Sequence, residues 1–401
     1  MDRSEVIIKS GKKSRMFTIK LTGQISQDDI KVLKHFREKL KKRKKLQSPR
    51  CRTICVDFLP REGETVKKVL KVWYAKDRQY FASMIKIAHK NDIIREYSAG
   101  QRASNYILDA GIDEEPYFFN CDGALLYKHR GDKALATKIL ETLDPRLTPQ
   151  QYEHKSGEIC NYVDIMYKDL HNSAYIKAPN DIPIPLRKTY EQYIIRKKNL
   201  AEPWIKSILG SKVEFIHPTF LDVRIFNPIV ALRKLFRRTI RGRFGYVHGD
   251  LHPNNIIIDK TDKPRLIDFD WSGKKRHILV DFVLMENSLR FFLCPRAINI
   301  HEQKMVDEWL LKEEGYRDIL HHTFRSTAAN RYYHLIASVI EKIRQHAKSS
   351  IGAGYKFNEY LLSQFLILFG LLEIEKYRIH FALRALGLIA KKLSENNWEI
   401  T

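Results

Sequence analysis

The chain has 401 residues, of which 44% are hydrophobic and 11% aromatic, and its formal net charge is +24. A chain of this length and composition can bury a substantial core, which excludes global disorder. The five cysteines are unevenly spaced. Cys51 and Cys55 lie close together, but no second pair completes a metal site, which favours buried or free thiols.

The sequence predicts no insertion into a membrane. Residues 1–20 carry charges where a secretory signal would have an apolar core. The most apolar run, Tyr360–Leu372, is interrupted by Ser363 and Gln364 and is too short to span a bilayer. We therefore expect a cytoplasmic protein with no transmembrane segment.

The basic charge is concentrated in Lys31–Arg50, where Glu38 is the single acid. The pattern predicts an amphipathic helix, because its apolar residues recur at helical spacing: Val32, Leu33, Phe36 and Leu40. We expect this segment to contact a polyanion such as nucleic acid or anionic lipid. The alternative is that the apolar face packs on a neighbouring lobe.

A small β-rich region follows. Arg52–Leu59 and Thr65–Tyr74 flank a turn that contains Pro60 and Gly63, and this pattern predicts a β-hairpin. The pattern then predicts a helix over Asp77–Ala110 and strands over Pro116–Asn120 and Ala124–His129.

Beyond residue 132 the pattern turns helical. Apolar residues recur at helical spacing in most of the remaining chain: Lys133–Leu143, Thr148–Asp169, Pro185–Ile208, Asn227–Ile240, His277–Leu293 and Arg317–Asn396. Asp281 is expected to cap a helix or to brace a loop.

One stretch inside the helical region contains candidate catalytic and metal-binding residues. Asp250 and Asn255 lie on a turn between two β-like runs, and Asp268 follows a third run in the sequence I-D-F-D. Phosphoryl transfer from a metal-bound nucleotide needs such a set: one carboxylate to accept or orient the attacking hydroxyl, and an amide oxygen and a second carboxylate to hold Mg²⁺. Mg²⁺ favours these hard oxygen ligands.

Tyr246–Gly273 resembles the catalytic core of the aminoglycoside phosphotransferase and choline kinase-like family, which has a protein kinase-like fold. The resemblance implies that Asp250 is the catalytic base and that His248 braces the catalytic loop. It also implies that Asn255 and Asp268 bind Mg²⁺.

The resemblance implies an α+β fold with two lobes, a small antiparallel β-sheet N-lobe and a large, mostly helical C-lobe. We place a basic N-terminal extension at residues 1–49, the N-lobe at 50–132 and the C-lobe at 133–401, with the catalytic loop at 246–273.

The sequence V-L-K-V at Val69–Val72 resembles the strand that carries the phosphate-binding lysine in this family. Lys71 is therefore the candidate for binding ATP, with Lys67 and Lys68 as alternatives, and Glu96 is the candidate for its ion-pair partner. No glycine-rich G-x-G-x-x-G precedes Lys71.

Gly249 stands where protein kinases carry the arginine of H-R-D, and no A-P-E follows Asp268, which favours a small-molecule acceptor. We expect an ATP- and Mg²⁺-dependent phosphotransferase that acts on a hydroxyl group. The charge of +24 disfavours polycationic aminoglycosides and favours a neutral or anionic acceptor. The alternative function is a non-catalytic nucleotide-binding or signalling module that contacts a polyanion.

Overall fold

The computed structural model describes residues 4–10, 15–22, 26–42, 53–59, 66–76, 79–107, 115–119, 121–127, 131–176, 178, 182–194, 213–218, 224–259, 261–372 and 378–395. The chain forms two compact units. Unit 1 comprises Met1–Asn105, Asp109–Lys133 and Ile257–Asp270, and unit 2 comprises Tyr106–Leu108, Ala134–Ile256 and Trp271–Thr401.

Unit 1 is built on a seven-stranded sheet with the order β1-β2-β3-β4-β5-β7-β6. Its strands are β1 Ser4–Ser10, β2 Arg15–Thr22, β3 Thr53–Leu59, β4 Val66–Lys76, β5 Gln79–His89, β6 Tyr117–Phe119 and β7 Asp122–Tyr127. Neighbouring strands are antiparallel except β2 and β3, which run parallel with Thr18 opposite Thr53. The predicted hairpin is confirmed, because β3 and β4 pair antiparallel.

The first helix of unit 1, α1 (Gln27–Lys42), packs by its apolar face. Val32, Leu33 and Phe36 are buried, and the preceding Ser26 forms a reciprocal cap with Asp29, whose backbone N–H donates to the serine hydroxyl. The predicted helix is therefore present, and the alternative of packing through its apolar face is the one that the structure supports. The polyanion contact gains no support; Leu40 and residues 43–50 lie outside the residues whose side chains are described.

The second helix, α2 (Lys90–Ala103), begins directly after β5. The predicted helix over Asp77–Ala110 is therefore wrong for residues 79–89, which form a strand. Ile85, Ile87 and Ala88 are all buried, and the β-branched isoleucines favour the extended chain. Helix α2 packs against β5 and β7.

Unit 1 also contains a three-stranded sheet with the order β15-β14-β8. Its strands are β8 Gly131–Ala134, β14 Ile256–Asp259 and β15 Pro264–Leu266. The turn after β14 is held by Asp259, whose Oδ1 accepts hydrogen bonds from the backbone N–H groups of Thr261 at 2.8 Å and Lys263 at 3.0 Å. This turn delivers the chain to Asp268.

Unit 2 is mostly helical. Its helices are α3 Leu135–Thr142, α4 Pro149–Leu170, α5 Leu186–Ile194, α6 Pro228–Leu235, α7 Leu279–Asn287, α8 Ile300–Trp309, α9 Tyr316–His321, α10 Thr327–Ile351, α11 Phe357–Leu371 and α12 Ile379–Glu395. Single π-helical turns lie at His171–Tyr175 and Ser288–Phe292, and 3-10 turns at Pro253–Asn255 and Gly352–Gly354. Its short strands are β9 Ile182–Pro185, β10 Phe215–Ile216, β11 Ile225–Phe226, β12 Thr239–Gly242, β13 Phe244–Val247 and β16 Gly273–His277.

Helix α7 lies at the centre of unit 2, and every one of its residues is buried. It packs against α10 and α11. Glu286 on α7 binds Arg344 of α10 at 2.9 Å and accepts a hydrogen bond from the Tyr360 hydroxyl of α11 at 2.7 Å. Because a buried charge is costly unless it is paired, these contacts fix α7 in one position.

The sheet-based unit and the helical unit confirm the predicted α+β, two-lobed class. The predicted boundaries differ from the compact units in two places. Strands β1 and β2 continue the main sheet, so the described residues of the predicted 1–49 extension belong to unit 1, as do residues 257–270. Among the described residues, no helix combines the length and the apolarity that a membrane span requires.

Replacing Phe36 with alanine is expected to destabilise unit 1, because its buried ring would leave a cavity under α1. The free energy of unfolding should fall by about 3–5 kcal/mol. Chemical denaturation followed by tryptophan fluorescence measures this change. Lys34→Ala, at an exposed position of the same helix, is the control and should change stability little. Equal effects of the two variants would contradict the packed position of α1.

Candidate functional site

The centre of the site in unit 1 is a buried lysine held between two carboxylates. Lys86 lies on β5, and its Nζ is 2.8 Å from Oε2 of Glu96 on α2. The same Nζ donates a hydrogen bond to Oδ2 of Asp268 at 3.1 Å. The side chains of Lys86 and Glu96 are buried, whereas that of Asp268 is 32% exposed. Asp268 therefore remains open to a ligand.

The charges of this cluster do not balance, because one ammonium faces two carboxylates. The pKa of the Glu96 carboxyl is raised to about 8, because burial and the nearby Asp268 carboxylate together outweigh the opposing effect of Lys86. Burial also opposes the charged form of Lys86, but Asp268 and Glu96 together raise the pKa of its ammonium. Strongly perturbed groups of this kind are typical of functional sites.

The lysine that pairs with Glu96 is Lys86, and the predicted Lys71–Glu96 pair is corrected accordingly. Lys71 lies on β4, opposite Met84 of β5, and its side chain is outside the described residues. Helix α2 packs against β5 and β7, while β4 lies beyond β5 in the sheet. A lysine on β5 is therefore the one that α2 meets directly.

Sequence reasoning missed Lys86 because residues 79–89 were interpreted as helix. The signal was present in the sequence M-I-K-I-A at residues 84–88, where a single charge interrupts a β-branched apolar run. A buried lysine in such a strand requires a carboxylate partner, and Glu96 lies ten residues further along the chain.

The end of the segment that carries Asp268 is held by an ion pair. The guanidinium of Arg95 on α2 binds both carboxylate oxygens of Asp270, with Nη2 at 2.7 Å from Oδ2 and Nε bound to Oδ1. Arg95 also contacts Asp92 at 3.0 Å. Bidentate pairs of this kind fix geometry as well as charge. Helix α2 thus binds Asp270 directly through Arg95, whereas its Glu96 pairs with Lys86 of β5, which binds Asp268.

Asp268 adopts the left-handed conformation, with φ of 60°. This conformation costs a non-glycine residue about 1–3 kcal/mol and persists where surrounding contacts impose it. The hydrogen bond from Lys86 and the neighbouring Arg95–Asp270 pair supply such contacts.

In unit 2, the loop after β13 is braced by a buried carboxylate. Oδ2 of Asp281 accepts the backbone N–H of His248 at 2.8 Å, and Oδ1 accepts that of Gly249 at 2.7 Å. The Tyr175 hydroxyl donates to Oδ2 at 2.8 Å. Burial raises the pKa of Asp281, and His248 and these donors oppose the shift. The expected loop brace is confirmed, while the residue before α7 that caps it is Ile278, not Asp281.

Gly249 is required by this loop. Its φ is 81°, and a Cβ at this position would lie 2.2 Å from the carbonyl oxygen of Trp271. Its own carbonyl accepts a hydrogen bond from the Tyr193 hydroxyl at 2.9 Å. A side chain at position 249 would therefore displace backbone, which explains why no arginine stands there.

The loop presents Asp250 and Asn255 together. The Asn255 Nδ2 donates to the backbone oxygen of Asp250 at 2.8 Å and to its Oδ2 at 3.2 Å. This leaves the Oδ1 of Asn255 as its cation-binding atom. The ring of His248 is buried, and its Nδ1 accepts the backbone N–H of Asp250 at 3.3 Å.

Asp250 is held ionised. Burial opposes its charge, but the His252 imidazole, 3.7 Å away, together with His248 and Asn255, holds the pKa of Asp250 below its ordinary value. The side chain is 35% exposed, so a hydroxyl compound can approach it. A carboxylate in this state can orient a hydroxyl and accept its proton late in a reaction.

Comparisons with known proteins found one family model that matches part of the chain and several solved structures. A family model described as Ternary complex associated domain 9 matches residues 217–350, a third of the chain, which include Asp250, Asp268 and Asp281. No curated protein matches the chain.

Several solved structures are similar in fold. A choline kinase, LicA, from Streptococcus pneumoniae is 12% identical, with a TM-score of 0.40 over 91% of this chain and 99% of its own. A choline kinase from Cryptosporidium parvum Iowa II is 13% identical, with a TM-score of 0.43 over 92% and 97%. A thermostable mutant of aminoglycoside phosphotransferase APH(4)-Ia, in ternary complex with AMP-PNP and hygromycin B, is 8% identical, with a TM-score of 0.38 over 84% and 93%. The function proposed below rests on the residues of the site and not on these likenesses.

Glu96→Gln is expected to change how stability depends on pH. The pKa of Glu96 rises from 4.5 to about 8 on folding, so the folded state holds a proton that the unfolded chain releases. The wild-type protein therefore loses stability as pH rises from about 4.5 to 8, and glutamine removes this loss. The melting temperature of Glu96→Gln relative to wild type should rise steadily from pH 5 to pH 8.5. Glu153→Gln, at an exposed position on α4, is the control, and a flat difference for Glu96→Gln would contradict the shift.

Proposed function

We propose that the protein is an ATP- and Mg²⁺-dependent phosphotransferase that transfers a phosphoryl group to a hydroxyl of a small molecule. The observation that carries this proposal is the Lys86 ammonium, held at 2.8 Å from Glu96 and 3.1 Å from Asp268. A strand lysine that a helix glutamate orients, beside an aspartate able to bind metal, is the arrangement that phosphoryl transfer uses to hold nucleotide phosphates.

Each unit offers one side chain whose oxygen suits a hard divalent cation. Asp268 offers a partly exposed carboxylate, and Asn255 offers the amide oxygen left when its Nδ2 binds Asp250. Both are the oxygen ligands that Mg²⁺ prefers. When bound, Mg²⁺ would neutralise phosphate charge and thereby favour the transfer.

Each side chain has a distinct task. Lys86 would bind the phosphate oxygens of ATP, with Glu96 fixing the direction of its flexible stem. Asp250, ionised and partly exposed, would hold the acceptor hydroxyl and take its proton. His248 and Asp281 would position the loop through its backbone N–H groups, without touching the reacting atoms.

The acceptor is proposed to be neutral or anionic. With 71 Lys and Arg residues against 47 Asp and Glu, the field of the whole chain disfavours polycationic compounds. A screen of hydroxyl metabolites with labelled ATP identifies the acceptor, and kanamycin-like compounds are expected to be poor substrates. Efficient phosphorylation of those compounds would contradict the charge argument.

Lys86→Met is expected to abolish turnover, whereas Lys71→Met should retain it. Loss of the preorganised ammonium that would bind the phosphates should lower kcat/KM by at least about 100-fold. The matched pair tests which strand carries the functional lysine, because both substitutions remove one ammonium from neighbouring strands of one sheet. Steady-state kinetics with ATP varied measures both. Loss of activity in Lys71→Met with normal activity in Lys86→Met would show that Lys71, and not Lys86, is the lysine that binds the phosphates.

Asp250→Ala is expected to lower kcat by about 10²–10⁴-fold, the usual contribution of a positioned base, while the affinity for ATP stays close to wild type. The loop should keep its shape, because Asn255 still donates to the backbone oxygen of residue 250 and Asp281 still holds two backbone N–H groups. Thermal-shift titration with ATP and Mg²⁺ measures binding, and labelled ATP measures transfer.

The same pair of measurements separates the enzyme from a non-catalytic nucleotide-binding module. Binding of ATP with no transfer by wild-type protein to any acceptor in the screen would favour the module. Turnover that is equal in wild type and Asp250→Ala would exclude Asp250 as the base.

A further inference from the structure

A second cluster in unit 1 contains none of the residues proposed to bind phosphate. His89 is the last residue of β5, Asp122 is the first residue of β7, and Cys121 directly precedes Asp122. The two strands pair antiparallel with His89 opposite Asp122. The backbone N–H of Lys90 donates to the carbonyl of Cys121 at 3.0 Å, which fixes the turn against the start of α2.

The ligand atoms of these three residues lie within 4.8 Å of one another. The Nδ1 of His89 is 3.4 Å from Oδ1 of Asp122. In a tetrahedral zinc site, ligand bonds of about 2.0–2.2 Å place neighbouring nitrogen and oxygen ligands roughly 3.3 Å apart. The imidazole and the carboxylate therefore already stand at the separation that a shared ion requires.

We propose that His89, Cys121 and Asp122 form a binding site for a borderline-soft divalent cation of the Zn²⁺ class. A thiolate and an imidazole select zinc over Mg²⁺ and Ca²⁺, which prefer oxygen ligands alone. The His89 side chain is 60% exposed and Cys121 is exposed, so an ion can enter without opening the fold. Three protein ligands would leave the fourth position of a tetrahedral ion to water.

The position of the site gives the bound ion a structural effect. The ion would join the turn between β6 and β7 to the junction between β5 and α2. That junction lies between Lys86 and Glu96 in the chain. This inference stands on the cluster itself and is independent of the proposed phosphotransfer.

Cobalt titration of the untagged full-length protein tests the site, because Co²⁺ bound to a thiolate gives an intense charge-transfer absorption. We expect one equivalent of Co²⁺ to produce this band and one equivalent of Zn²⁺ to displace it. Cys121→Ser should abolish the band, and His89→Gln and Asp122→Asn should each weaken Co²⁺ binding by at least about tenfold.

The controls separate this site from the other candidate ligands. Asp268→Asn removes a proposed Mg²⁺ ligand and should leave the band unchanged, as should Cys160→Ser, which alters a half-buried thiol elsewhere. The double variant Cys51→Ser with Cys55→Ser should also retain it. A band that persists in Cys121→Ser, or no band in the wild type, would overturn the proposal. Because Cys121 is exposed, the metal-free melting temperature of Cys121→Ser should match that of the wild type, which shows that loss of the band is not loss of the fold.

Discussion

The ammonium of Lys86, shared between the carboxylates of Glu96 and Asp268, is the interaction on which unit 1 is organised. Removing Lys86 would leave the two carboxylates without the cation they share, at a cost of about 3–5 kcal/mol. The surrounding structure serves to hold the group: α2 supplies Glu96 and Arg95, and the hairpin of β14 and β15 delivers Asp268. With two acids against one base, the group retains affinity for a further cation, which is the property a nucleotide–metal site needs.

Unit 2 uses a buried carboxylate for a different purpose. Asp281 accepts hydrogen bonds from backbone N–H groups of the loop, so it fixes the loop's path and leaves the side chains of Asp250 and Asn255 available to a ligand. Its helix is in turn held by Glu286 and Arg344. The precision of the loop therefore depends on polar contacts deep in the helical core, and preorganisation of this kind is what lets a site act with little rearrangement.

Local patterns predicted much of this arrangement. Neighbouring residues alone predict the hairpin of β3 and β4, the helices α3 and α4, and the turn that carries Asp250 and Asn255. Lys86 was missed because residues 79–89 were interpreted as helix. The contacts of Lys86 and Arg95 with Asp268 and Asp270, 182 and 175 residues away, could not be predicted from any local pattern. Strands β1 and β2 were missed because the many charges in residues 1–49 obscure the alternation of apolar and polar residues in these strands. The sequence did not decide the role of α1, because a basic amphipathic helix can either bind a partner or pack its apolar face on the core.

The parallel pairing of β2 with β3 bears on where this chain can be divided. Thr18 to Thr22 run beside Thr53 to Asp57 and occupy that side of the strand. A chain begun at residue 50 would turn β3 into an exposed edge, whose free N–H and C=O groups form a template for another molecule. Such a fragment would expose the apolar run of β3, Thr53–Leu59, where the longer chain exposes β1, even though every residue of the proposed chemistry lies beyond residue 50. Strands β1 and β2 thus determine which strand forms this edge of the sheet.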